Sequence, residues 1–173
     1  MTFIYRYDII YLQEIRKEKR KMTKAIYFDM DGTIADLYGV TDWLTMLMNG
    51  NELPYYIAKP LVRLAVLARL LNELQKDGYK IGIVSWLAKN STTDYDEKVT
   101  NAKKEWLAKH LTSVHFDEIH IVQYGTPKQN IVNHPNGILF DDEEKNRINW
   151  TGKAYNEKNI TEILKKLKKT LDK

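Results

Sequence analysis

Short apolar runs alternate along this chain with segments long enough for helices, and this alternation constrains the fold more than any other feature. The runs that predict strands are 24–29, 80–85, 118–123 and 137–141, with a shorter one at 153–155. Strands separated by helices assemble into a mostly parallel sheet through right-handed crossovers. The sequence therefore predicts an α/β fold with a mostly parallel central sheet.

Three amphipathic segments predict the main helices. Apolar residues recur every three or four positions after Pro60, and Gly78 marks the end of that helix. A second helix is expected to begin at Asp94, which has capping-box spacing to Glu97, and a third covers about 158–171. The residues expected to face inward are Leu61, Leu64, Leu67, Ala68, Leu71 and Leu74, then Val99, Ala102, Trp106 and Leu107, and finally Ile160, Ile163, Leu164, Leu167 and Leu171. The segment before Pro60 predicts a short helix near 41–49, followed by an irregular connection.

Composition excludes several kinds of protein. The 173 residues, 43% of them hydrophobic, suit one domain with an ordinary core. The chain has no cysteine, which excludes disulfides and thiolate metal sites. No apolar run approaches the roughly 18–20 residues of a membrane span, so we expect no membrane partner and a cytoplasmic location.

The net charge of +4 is concentrated near the N-terminus. Residues 1–21 contain six basic and three acidic side chains, so they carry three of the four positive charges. The basic pI therefore indicates little about nucleic-acid binding by the rest of the chain. We expect residues 1–22 to be a basic accessory extension to a domain at 23–173, with Met22 as an alternative start. A short helix with a basic end is the competing interpretation.

The most informative motif is Asp29-Met30-Asp31-Gly32-Thr33, directly after the first apolar run. A loop that follows a parallel strand aims its side chains into the crevice where open α/β folds bind ligands. There the first carboxylate can attack a phosphorus centre, while the second donates a proton to the leaving group. Gly32 allows a sharp turn that brings backbone N–H groups near an anion. The alternative is an ordinary acidic turn, since Asp-Gly is a common turn pair.

Three further polar groups follow later strands. Ser85 ends the second strand, Lys128 follows the third, and Asp141-Asp142 follow the fourth. Each has an ordinary alternative: the serine could simply end a strand, the lysine could lie on the surface, and the carboxylates could open a helix. Lys89 is the other candidate for the lysine's role.

This ordered set resembles the motifs of the haloacid dehalogenase superfamily of phosphotransferases, from Lys24 to the C-terminus. The resemblance implies a three-layer, Rossmann-like fold with a central parallel sheet of strand order 5-4-1-2-3 and a small helical cap after strand 1. It also implies that a nucleophile, an acid/base, a hydroxyl, a lysine and an acidic metal site each lie at the end of a strand.

The resemblance and the chemistry of the residues together predict four catalytic roles. Asp29 would be the nucleophile that forms an aspartyl-phosphate, and Asp31 would be the general acid and then the general base. Ser85 would donate a hydrogen bond to a phosphoryl oxygen. Lys128 would balance the negative charges of the nucleophile and the phosphate.

A metal site made of carboxylates, carbonyls and water predicts a hard cation, and we expect Mg²⁺. Asp29 contributes a carboxylate, and the resemblance implies that Asp31 contributes its backbone carbonyl. Asp142 is the expected inner ligand, with Asp141 acting through a water molecule.

Within the superfamily, the stretch from Asp29 to Asp36 looks like the opening of 5′(3′)-deoxyribonucleotidases, which share the final Ala-Asp pair. Residues 104–111 and the short spacing from Lys128 to the paired aspartates are also similar. The chain differs in having Thr33 where those enzymes usually have valine, and in a shorter insertion. The expected substrate is a small phosphomonoester, specifically a nucleoside monophosphate.

The insertion at about 37–59 would form only a small cap and leave the site open to larger substrates. One alternative is therefore a polynucleotide 3′-phosphatase that acts on nucleic-acid ends, and another is an inactive binding protein with the same fold. In either enzyme, aromatic rings near the site could stack on a base. The residues expected to bind substrate are Gly32, Thr33, Ser85, Trp86 and Tyr38.

Overall fold

A five-stranded parallel sheet lies at the centre of the computed structural model, which describes residues 24–171. Its strands are β1 (Ala25–Phe28), β4 (Lys80–Trp86), β5 (Glu118–Val122), β6 (Ile138–Phe140) and β7 (Lys153–Tyr155). A separate antiparallel pair consists of β2 (Ala35–Asp36) and β3 (Lys59–Pro60). The sheet order is β5-β4-β1-β6-β7, with every pairing parallel. Counted within this sheet alone, from the β7 edge, the order is the predicted 5-4-1-2-3.

Helices cover the sheet, which confirms the predicted α/β architecture. The α-helices are α1 (Trp43–Met48), α2 (Leu53–Ile57), α3 (Leu64–Lys76), α4 (Thr93–His110), α5 (Glu144–Asn149) and α6 (Ile160–Leu171). Apolar residues of α3, α4 and α6 pack on the sheet face that carries Ile26 and Phe28. Val132 and Trp150 pack on the opposite face, with Tyr27. Within residues 24–171, no helix is long and apolar enough to cross a membrane.

Two predictions for the segment between β2 and α3 are wrong. The connection expected to be irregular contains the helix α2, which has Pro54 in its first turn, where a missing N–H is tolerated. Pro60 does not begin the following helix, because it pairs with Ala35 in the small antiparallel sheet and α3 starts at Leu64. Leu61 consequently lies outside α3 and is 45% exposed, instead of facing the core.

The start of α4 also differs from the prediction. Thr92, two residues before Asp94, is the N-cap, and its hydroxyl accepts a hydrogen bond from the backbone N–H of Tyr95 at 3.4 Å. Asp94 lies in the first turn, where a carboxylate is favourable beside the helix dipole. The predicted inward-facing residues of this helix are buried.

The segment between β1 and α3 forms a small lobe over the carboxyl end of the sheet, and α4 holds it in place. The Tyr95 hydroxyl donates to the backbone oxygen of Asn51 at 3.1 Å, and Trp106 Nε1 donates to that of Ala58 at 2.7 Å. Tyr55 of α2 is buried against the same helix. The extension predicted at 1–22 lies outside the described residues and stays a prediction.

Candidate active site

The polar residues expected at the strand ends come together at one edge of the sheet. β1 lies between β4 and β6, so the loops after β1 and β6 are neighbours. The backbone N–H of Asp29 donates to Phe140 O at 2.9 Å, which fixes the two loops against each other. A cavity of about 450 Å³ lies above them, and its wall includes Asp29, Asp31, Lys128 and Asp142.

Lys128 lies between two of the predicted carboxylates. Its Nζ atom donates to Asp29 Oδ1 at 2.8 Å and to Asp141 Oδ2 at 2.6 Å, and its side chain is only 2% exposed. Burial alone would lower the pKa of Lys128, but the two carboxylates outweigh burial and raise it. Lys89, the other candidate, instead lies over the Tyr124 ring at the cavity wall. The geometry therefore places Lys128, and not Lys89, beside Asp29.

Asp141 and Asp142 are held by the short helix that follows them. Asn146 Nδ2 donates to both oxygens of Asp141 at 3.1 Å, and the N–H of Glu143 donates to Oδ1 at 2.9 Å. Arg147 Nη1 donates to the backbone oxygens of both aspartates, at 2.8 and 2.5 Å. The Asp141 carboxylate thus already accepts several hydrogen bonds from protein donors, whereas the Asp142 side chain lines the cavity.

Three carboxylates offer a metal site. One oxygen each from Asp29, Asp141 and Asp142 lie within 4.8 Å of one another. With Asp31, these carboxylates carry four formal negative charges, against two positive charges on Lys128 and a second buried lysine described below. The remaining formal charge of −2 and the all-oxygen donor set suit a divalent hard cation such as Mg²⁺.

The crowding of carboxylates changes their protonation. Burial and the neighbouring Asp29 and Asp141 carboxylates raise the pKa of Asp142 to about 7. Burial and Asp29 also raise the pKa of Asp141 to about 6, against the opposing effect of Lys128. Burial raises the pKa of Asp31 as well. A bound cation would take the place of these carboxyl protons and relieve the repulsion between the carboxylates.

These raised values predict how stability depends on pH. The folded, metal-free protein keeps a proton on Asp141 up to about pH 6 and on Asp142 up to about pH 7, whereas the unfolded chain loses both near pH 4. Its free energy of unfolding should therefore fall as pH rises through this window, by up to about 1.4 kcal/mol per pH unit for each proton. Mg²⁺ should raise the melting temperature more at pH 8 than at pH 5.5, because fewer protons must leave.

Thermal unfolding with and without chelator, compared between wild type and Asp142→Asn, measures this effect. The difference between the two proteins isolates the contribution of the Asp142 carboxylate. Equal Mg²⁺ stabilisation at both pH values in the wild type would contradict the prediction.

The loop after Asp31 is fitted closely to Asp142. Gly32 has a φ of +73°, and a β-carbon there would lie against Asp142 Oδ2 and 2.6 Å from Tyr38 Cε2. The Thr33 hydroxyl donates to Asp142 Oδ1 at 3.2 Å and accepts from the Asp142 N–H at 3.0 Å. Gly32 therefore leaves room for the side chains of Asp142 and Tyr38. The fully buried Thr33 positions the Asp142 carboxylate.

Asp31 and Ser85 are joined by a residue that sequence reasoning missed. Lys103 of α4 contacts both: its Nζ lies 2.7 Å from Asp31 Oδ2 and 2.9 Å from Ser85 Oγ. The only available signal was its position in the apolar stripe of α4, three residues before Trp106 and four after Val99. A lysine on a helix is normally solvated, so the stripe alone does not predict a role.

The aromatic residues predicted to bind substrate occupy different positions. Tyr38 is 47% exposed, lines the cavity and packs edge-on against Trp43 at 5.0 Å. Trp86 also lines the cavity, but Nε1 donates to Thr126 O at 2.8 Å, and the Lys128 ammonium lies 5.0 Å from the centre of its ring. Tyr38 therefore has the freer ring, whereas the Trp86 ring packs against the Lys128 ammonium.

Comparison with known proteins adds a distant structural likeness. No protein-family model matches the sequence, and no curated protein matches it. Among solved structures, the chain is similar to D,D-heptose 1,7-bisphosphate phosphatase from Burkholderia thailandensis, with a TM-score of 0.43 and 14% identity. The match covers 72% of this chain and 70% of that one. A likeness this distant carries no argument about the reaction, which must be argued from the geometry of the site.

Proposed function

We propose that this protein is a Mg²⁺-dependent phosphomonoester hydrolase of the haloacid dehalogenase type. The observation that supports it best is the position of Lys128, in contact with both Asp29 and Asp141 beneath an open cavity. A buried lysine between carboxylates offsets their negative charge and offers positive charge to an incoming phosphate dianion. A structural ion pair alone would have no need of the further carboxylates beside it.

The chemistry divides between the two aspartates of the first loop. An Asp29 oxygen attacks the phosphorus atom, the ester P–O bond breaks, and Asp31 gives a proton to the departing alkoxide. Asp31 then takes a proton from water, whose oxygen attacks phosphorus and releases Asp29 and inorganic phosphate. Mg²⁺, held by Asp29, Asp142 and the Asp31 carbonyl, would neutralise charge on the phosphoryl oxygens.

Nucleoside monophosphates are the substrates that the cavity favours. Its wall is largely apolar and includes five aromatic rings: Tyr55, the packed pair Tyr38 and Trp43, and the packed pair Trp86 and Tyr124. A base stacked on such rings gains about 1–3 kcal/mol, whereas a sugar phosphate offers no ring to stack. The resemblance of residues 29–36 to deoxyribonucleotidases points the same way.

A second candidate, a phosphatase of nucleic-acid 3′ ends, is favoured by the open mouth of the cavity. Leu44 and Met48 line it and are 53% and 79% exposed, so the lobe does not enclose the site. An oligonucleotide could leave the cavity past these residues. An inactive binding protein ranks last, because Asp29 and Asp31 are both present.

A substrate panel tests the proposal. With Mg²⁺, the protein should hydrolyse 4-nitrophenyl phosphate, and chelator should stop the reaction. Nucleoside 5′- or 3′-monophosphates, deoxy forms first, should exceed sugar phosphates in kcat/KM by roughly tenfold for each 1.4 kcal/mol of stacking. Far faster turnover of 3′-phosphorylated oligonucleotides than of any mononucleotide would favour the second candidate. No turnover of any phosphomonoester would overturn both.

Alanine at Tyr38 should separate the two kinds of substrate. Its ring is available for stacking, so the change should lower kcat/KM for a nucleotide more than for 4-nitrophenyl phosphate. Tyr56, which is not among the residues lining the cavity, is a matched control.

A further inference from the structure

We propose that Lys103 is a positioning residue for proton transfer to the leaving group, an inference that rests on the proposed phosphatase function. Lys103 projects from the middle of α4 and is 1% exposed. Its Nζ donates to Asp31 Oδ2 at 2.7 Å, Ser85 Oγ at 2.9 Å and Trp86 O at 2.6 Å. It therefore connects the predicted general acid with the predicted phosphate-binding hydroxyl.

The number of these contacts determines what Lys103 can do. An ammonium group has three N–H donors, and all three have acceptors in the protein. None remains for a phosphoryl oxygen, so the geometry points to positioning and not to direct binding of substrate. Lys128 differs, because its two carboxylate contacts leave one donor available.

The contacts orient the groups that Lys103 touches. Because Asp31 Oδ2 accepts from Lys103, Oδ1 is the oxygen left to exchange a proton with the leaving group. Because the Ser85 oxygen accepts from the same ammonium, its own hydrogen is left to donate elsewhere. Lys103 thus fixes one acceptor, on Asp31, and one donor, on Ser85, beside the same ammonium group.

Burying an ammonium in this position is unfavourable by itself. Desolvation of a charged group typically costs several kcal/mol, and apolar packing in its place is often neutral or stabilising. The surroundings already contain an apolar and aromatic cluster, with the Tyr55 ring centre 5.1 Å from Nζ. Packing therefore does not account for a lysine here, whereas the orientation of Asp31 does.

The test uses phosphate esters that differ in how much they need a proton. A nitrophenolate leaves without protonation, whereas an alkoxide needs it. With the full-length protein and Mg²⁺, kcat/KM would be measured for 4-nitrophenyl phosphate, phenyl phosphate and an alkyl phosphate. Lys103→Met should lower kcat/KM for the alkyl ester by about 100-fold or more and for the nitrophenyl ester by at most a few-fold, with little change in KM.

Two comparisons make the result decisive. Lys104→Met, an exposed neighbour on the same helix, should leave all three esters unchanged. Lys103→Gln keeps hydrogen-bond donors but removes the charge, so it should recover part of the kcat/KM that Lys103→Met loses on the alkyl ester. If Lys103→Met does not fold, Lys103→Gln takes its place in the assay. Equal losses on all esters, or a rise in KM alone, would overturn the positioning role while the phosphatase function stands. A wild type that hydrolyses none of the esters overturns the proposed function and this role with it.

Discussion

Asp29→Asn is expected to reduce turnover by on the order of 10⁴-fold or more, the largest effect of any single change in this site. The amide keeps the shape of the side chain but cannot attack phosphorus as a carboxylate does. The buried side chain should still accept a hydrogen bond from Lys128 through its amide oxygen. The loss should therefore appear in kcat/KM without loss of fold.

The experiment has a clear control and a clear contrary result. Asp94→Asn changes an exposed carboxylate in the first turn of α4 and should leave kcat/KM unchanged. In chelator, Asp29→Asn should melt no lower than the wild type, because one charge leaves a cluster of repelling carboxylates. Undiminished turnover by Asp29→Asn would rule out the covalent aspartyl intermediate.

Lys128→Met should have the largest effect on stability. Removing the ammonium leaves Asp29 and Asp141 buried without their shared cation, and breaking a buried ion pair in this way costs about 3–5 kcal/mol. Urea unfolding in chelator would measure the loss. Mg²⁺ should reduce it, because a bound divalent cation supplies the missing positive charge.

A second substitution should separate charge from packing in this result. Adding Asp141→Asn to Lys128→Met removes the carboxylate that is left fully buried, so the double variant should recover part of the lost stability. Lys89→Met, which removes a lysine lying over Tyr124, is the matched control and should change stability little. A loss below about 1 kcal/mol for Lys128→Met would show that water reaches the cluster in place of the lysine.

The convergence of the site could be predicted because each residue follows a strand. The carboxyl ends of parallel strands meet at one edge, so Asp29, Ser85 and Asp141 are brought near each other by topology alone. Lys128 follows the same rule, since it comes after β5. The order of the strands in the sheet, by contrast, could be predicted only with the family resemblance.

Other features could not be predicted, for identifiable physical reasons. Lys103 lies on a helix, and its contacts with Asp31 and Ser85 depend on the direction of a long side chain, which periodicity does not report. The helix α2 is too short for a helical repeat to be visible, and its Pro54 resembles a loop signal. Pro60 precedes an apolar repeat and so predicts a helix start, but it pairs with Ala35 in the small antiparallel sheet instead.

The attachment of the lobe to α4 has a consequence for the proposed phosphorylated intermediate. Tyr95 and Trp106 hold Asn51 and Ala58 by hydrogen bonds, and the cavity is open beside Met48. Where a lid closes, it shields a covalent intermediate from competing nucleophiles. Here small alcohols such as glycerol would share access with water to a phosphoryl group on Asp29. In the presence of such an alcohol, a fraction of the phosphoryl groups would be transferred to it instead of to water. The leaving group would then be released faster than inorganic phosphate.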